Sequence, residues 1–132
     1  MAYIPEDAEW YLADILEEHK IEDEPDHIVF SNLVLVRASD PEEAYKQALQ
    51  LGREREATYL NPERKTVEVH FAGLRDLNVI HDKLEHGAEL GYLKYVGVSE
   101  DQLRAWATSK GDLGIFKPRD TSYDPPIGRR NE

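Results

Sequence analysis

The stretch IVFSNLVLVRA, residues 28–38, limits the fold more than any other part of the chain. Its β-branched and large apolar residues predict a strand, and neighbouring side chains in a strand point to opposite faces. Ile28, Phe30, Val34 and Val36 therefore share one face while Val29, Leu33 and Leu35 share the other. A sheet built on such a strand needs cover on both sides. Directly after it, SDPEEA supplies a helix start: Ser39 or Asp40 can cap orphan backbone donors, Pro41 suits the first turn, and Glu42 and Glu43 favour the positive end of the helix dipole. The expected helix lies across one face of the sheet. The opposite face is left for Trp106, the C-terminal tail or a second subunit, which makes a homodimer one expected arrangement.

The remaining elements follow from periodicity and punctuation. Residues 10–19, WYLADILEEH, place Trp10, Leu12, Asp14 and Leu16 against Tyr11, Ala13, Ile15 and Glu17, a period of two that predicts a strand. With the polar turn KIEDEPDH it forms a hairpin onto residues 28–38, acidic at its far end. Tyr45, Ala48, Leu49 and Gly52 make a helical stripe that Tyr59 and Leu60 prolong, with Asn61-Pro62 as the stop and Gly52 either tightening the packing or ending the helix early. KTVEVHFAGL predicts the next strand through Val67, Val69 and Phe71. NVIHDKLE and AELGYLKYVGV flank His86-Gly87 and predict a second hairpin that sets Ile80 opposite Leu93. SEDQLRAWATSK opens with Ser99 and Gln102 at capping-box spacing and predicts a short helix. The expected fold is α+β, an antiparallel sheet in the order β-β-α-β-β-β-α over residues 1–109, followed by an irregular tail or wrapping arm over residues 110–132.

Charge is concentrated at the N-terminal end. The net charge is -11, yet in the first thirty residues Lys20 alone opposes ten carboxylates. Such a field repels phosphate backbones and anionic lipid heads, so nucleic acid and membrane are not expected partners and a basic protein is. No apolar run reaches the roughly 20 residues of a membrane span, and the start MAYIPEDAEW has no basic flank or apolar stretch of a secretory signal. A cytoplasmic location is the expectation. Zero cysteines exclude disulfides, thiol catalysis and thiolate metal sites.

The one cluster that suggests metal chemistry is His81, Asp82, Glu85 and His86. In a strand, adjacent side chains point apart, and His81 and Glu85 stand roughly 13 Å from each other at about 3.3 Å per residue. Zinc ligands need bonds of about 2 Å, and no helical zinc spacing is present in HDKLEH. Neither GDLG nor PPIGRR matches a phosphate loop, and no serine sits in a nucleophile elbow. No catalytic residue, cofactor or metal is therefore expected.

WYLADI, LVLVRASDPEEAYKQALQLG, YLNPE and FAGLRDL, taken in order, resemble a bacterial family known as the domain of unknown function numbered 4288. The resemblance spans roughly residues 10–95 and implies a compact α+β domain, with no agreed activity, cofactor or catalytic residue to carry over. The expected role is a non-catalytic protein-binding or regulatory module with an acidic surface. An immunity-type inhibitor of a basic toxin or nuclease is one concrete form, and a small metal-dependent hydrolase ranks below both. Glu17, Glu18, Glu22, Asp23, Glu24 and Asp26 at the hairpin tip are the candidate partner-binding residues, with Tyr123 and Ile127 of the tail as a second surface.

Overall fold

A computed structural model describes residues 4–117, so Tyr123 and Ile127 lie outside the described residues. The chain divides into two compact units, Met1–Leu93 and Lys94–Glu132. In the first, β1 (Trp10–Ile21), β2 (Ile28–Arg37), α1 (Pro41–Glu54), β3 (Ala57–Leu60) and β4 (Thr66–Val79) follow one another. The four strands form one sheet in the order β2-β1-β4-β3, with every pairing antiparallel. The second unit holds α2 (Glu100–Trp106) and a single 3-10 turn at Lys110–Asp112. Ser99 and Gln102 close the capping box on α2, and Trp106 meets Tyr95 edge-on with ring centres 5.0 Å apart. Among the described residues no helix is long and apolar enough to cross a membrane.

Local chemistry accounts for the first half of the sheet. In β1 the odd residues Tyr11, Ala13, Ile15, Glu17 and His19 are buried and the even ones are half-buried. They lie on the same side as the even residues of β2, because antiparallel register sets Tyr11 opposite Val36 and Ile15 opposite Asn32. At the start of α1, Asp40 accepts from the Glu43 N–H at 2.8 Å, while the Ser39 hydroxyl and N–H both donate to the Glu43 carboxylate. Ala44 and Ala48 then join Tyr11, Ala13, Ile15, Val36 and Val79 in one core cluster. Small residues on the helix let its backbone approach the strands.

Two expectations are corrected in the second half, and the open choice at Gly52 is decided. The helix stops at Glu54 and does not run on to Leu60; Thr58 and Tyr59 instead enter β3, with Tyr59 opposite Val67. Gly52 stays inside the helix, where a methyl group at its position would stand 2.4 Å from the Phe71 ring, so it is there for packing and not for termination. The hairpin expected over residues 78–98 is absent: β4 continues to Val79, and residues 80–98 hold no strand. The His86-Gly87 turn does form, with the Ala88 N–H donating to the Glu85 carbonyl and Gly87 at φ 86. Its flanks join no sheet, since β1 takes one side of β4 and the outer side past Val69 is broken by the bulges, and a two-stranded hairpin alone is marginal in water. The element order is thus β-β-α-β-β-α.

β4 reaches its 14 residues by carrying two bulges. Phe71 faces Glu17 and Gly73 faces Leu16, leaving Ala72 as an extra residue; Leu74 faces Ile15 and Asp76 faces Asp14, leaving Arg75 extra. Each bulge shifts the inward phase by one. Val67, Val69, Phe71, Leu74, Leu77 and Val79 therefore all turn to the core side although their spacing is irregular.

Candidate functional site

Six residues, Glu22–His27, connect β1 to β2. Asp23 takes the left-handed conformation at φ 65, which a short polar side chain tolerates. The turn is tied down on both sides. Glu22 donates its N–H to the Thr66 carbonyl and accepts the Thr66 N–H on its side chain, each at 2.9 Å, and Lys65 reaches Glu24 at 3.1 Å. Lys65 belongs to the β3–β4 turn, where the Asn61 side chain accepts from the N–H groups of Glu63 and Lys65. The hydrogen bond and charge of Glu24 raise the Lys65 pKa. On the other side His27 bonds Glu18 at 2.7 Å, and chiefly this bond, with help from Lys20, lowers the Glu18 pKa.

The six carboxylates named at this tip therefore divide. Glu17 is not on the surface: at 2% exposure it points to the core side of β1. Glu18, Glu22 and Glu24 are bound to neighbours in the same fold. Asp23 and Asp26 are exposed and, among the described residues, take part in no ion pair.

Glu17 heads an internal cluster that sequence reasoning missed. Its Oε1 meets His19 Nε2 at 3.1 Å, and its Oε2 accepts from Arg55 Nε at the C-cap of α1. His19 is fully buried and stacks edge-on against Phe30, ring centres 4.8 Å apart. Next to it Glu56 accepts the Phe71 N–H beyond the end of β3. Both carboxylate oxygens of Glu17 are engaged, so the cluster ties the end of α1 to the middle strand. The signal was available in phase alone: Glu17 and His19 continue the buried odd series that begins at Tyr11.

Concave surface lies elsewhere. One cavity of about 310 Å³ is lined by Asp82, Lys83, Glu85, His86, Gly87 and Ala88, and another of about 290 Å³ runs from Asn78 to Tyr92 past His81 and Glu89. Asp82 accepts the Glu89 N–H and thereby closes this loop. Among the described residues no three His, Asp or Glu side chains come together in the way a metal centre needs.

The other distinctive surface is β2. Val29, Leu33 and Leu35 are 58%, 68% and 44% exposed on the side of the sheet away from the core cluster. Leu12 and Leu16 of β1 share that side, and a methyl group placed on Gly91 would stand 3.5 Å from Leu12.

The family described as Domain of unknown function (DUF4288) matches residues 10–91. The chain belongs to this family. The matched DUF4288 region spans the whole sheet, α1 and the loop past Gly87, and ends before α2. Comparison with curated proteins and with solved structures gives no match.

Proposed function

We propose that this DUF4288 protein is a non-catalytic binding module that captures a basic protein at the β1–β2 turn. The observation that carries the reading is the bracing of that turn. Glu22, Glu24 and Glu18 are spent on Thr66, Lys65 and His27, which fixes the backbone and leaves Asp23 and Asp26 projecting from a rigid base. A fixed pair of carboxylates within a field of net charge -11 speeds encounter with a cationic surface and costs little ordering on binding. An inhibitor of a basic toxin or nuclease is the concrete form that fits. A small hydrolase is supported less, because the Glu17–His19 pair is tied to Arg55 and lines neither cavity described above. A cytoplasmic setting agrees with the reading.

The test uses Asp23→Asn with Asp26→Lys, which spares the bracing residues and keeps a short polar side chain at the positive φ of position 23. Basic proteins retained on the immobilised native chain at physiological salt should be lost from the double variant and released from the native chain by raised salt. Retention that ignores both the substitutions and the salt would refute the proposal.

A further inference from the structure

We infer that β2 is a self-pairing edge, at which a second copy of the chain adds antiparallel about a two-fold axis through Asn32. This surface is distinct from the acidic turn, so the two proposals stand or fall separately.

The argument begins with how the edges of the sheet are protected. Exposed strand edges invite pairing, and monomers blunt them with short strands, bulges, prolines or charges. β3 is only four residues long and runs into Pro62. Past β3, the outer edge of β4 is interrupted by the extra residues Ala72 and Arg75, and Glu56 and Asp76 occupy the N–H groups of Phe71 and Leu77. β2 has none of these devices. It runs ten residues in unbroken register with β1, with no proline, no bulge and no charged side chain before Arg37.

Its free backbone groups can be assigned. The Ala38 N–H donates to the Glu9 carbonyl, one step beyond the pairing of Trp10 with Arg37. Bonded and non-bonded pairs alternate along an antiparallel ladder, so the even residues of β2 bond β1. Val29, Ser31, Leu33 and Leu35 therefore turn their N–H and C=O groups outward.

The occupant follows from charge and from self-complementarity. Two chains of net charge -11 repel, and Ile28–Val36 is an uncharged stretch along which they can meet. An axis through Asn32 pairs Ile28 with Val36, Val29 with Leu35, Phe30 with Val34 and Ser31 with Leu33 of the second copy. The exposed Val29, Leu33 and Leu35 then lie beside their counterparts and shield one another. Asn32 supplies an independent sign: its Nδ2 is buried and, among the described residues, has no hydrogen-bond partner. In this register two Asn32 residues form the central non-bonded pair, with Cα atoms about 4.5 Å apart, where turned amides can bond each other.

The test is sedimentation of the full chain across the micromolar range, joined to cross-linking. The native chain should sediment as a dimer, and Leu33→Lys or Ser31→Lys as a monomer with an unchanged circular dichroism spectrum. Because the chain has no cysteine, Asn32→Cys should form a disulfide-linked dimer under mild oxidation. Leu35→Cys should not, its two copies lying roughly 20 Å apart at about 3.4 Å per residue. A native chain that stays monomeric throughout, or Leu35→Cys linking as readily as Asn32→Cys, would overturn the inference.

Discussion

Replacing Gly52 by Ala sets two known effects against each other. In an ordinary helix interior the change stabilises by about 1 kcal/mol, because glycine loses more backbone freedom on folding. Here the new methyl group would stand 2.4, 2.6 and 2.8 Å from Cε1, Cδ1 and Cζ of Phe71. Carbon atoms in contact prefer about 3.5–4.0 Å, so the ring must retreat by roughly 1 Å. It has little room to do so, since Phe71 packs against the core cluster and sits in register with Glu17. Overpacking of this kind costs about 1–3 kcal/mol, and it exceeds the helical gain. Gly52→Ala is expected to destabilise by about 1 kcal/mol net, a fall of about 4–8 °C in Tm for a domain of this size. Urea denaturation of Gly52→Ala, Phe71→Val and the double variant isolates the contact. Once the ring is gone, the same Gly52→Ala change should stabilise. Equal stabilisation in both backgrounds would show that the ring yields freely and that the glycine is not a packing requirement.

Three further outcomes follow. Tyr11→Phe should raise stability by about 1 kcal/mol in thermal or urea melts, because among the described residues the buried Tyr11 hydroxyl has no hydrogen-bond partner; burial, with the charges of Asp40 and Glu43, also raises its pKa, so in an alkaline ultraviolet titration Tyr11 should ionise late. Glu17→Leu should cost about 3 kcal/mol, the low end for breaking a buried pair, since Arg55 can still reach water while His19 loses its carboxylate; stability equal to the native chain would contradict the anchoring role. The lowered pKa of Glu18 means that its contribution is present above the ordinary glutamate pKa and lost as pH falls through the folded value. His27→Ala should therefore flatten the acid limb of a stability-against-pH curve, and an unaltered limb would show that the bond is idle.

Local signals made part of the fold legible. β2 announced itself by a run of β-branched residues and α1 by Asp40, Pro41 and the two glutamates, and each signal is read within a few positions. β3 was hidden because Tyr59 and Leu60 happen to continue the helical stripe, and only the need of β4 for a partner decides their state. β4 was cut short for the opposite reason: its bulges set Phe71, Leu74 and Leu77 three apart, a spacing that imitates a helix. At the candidate site, charge count identified the acidic turn but could not divide it. Whether a glutamate projects, braces or is buried depends on residues as distant as Arg55 and Thr66, which no local pattern reveals.

The bulges in β4 also determine where the chain can change length. Ala72 and Arg75 have no partner residue on β1, so removing either one closes a bulge and leaves Phe71, Leu74, Leu77 and Val79 turned as before. Removing Gly73 or Asp76 closes the same bulges, because Ala72 or Arg75 then stands opposite Leu16 or Asp14, whereas removing a residue from the regularly paired stretches on either side turns neighbouring apolar side chains outward. Single-residue gaps among relatives should collect at these two bulges, and a chain lacking both would carry a less strongly twisted β4. Length, like sequence, is then constrained by which side of a strand each residue must face.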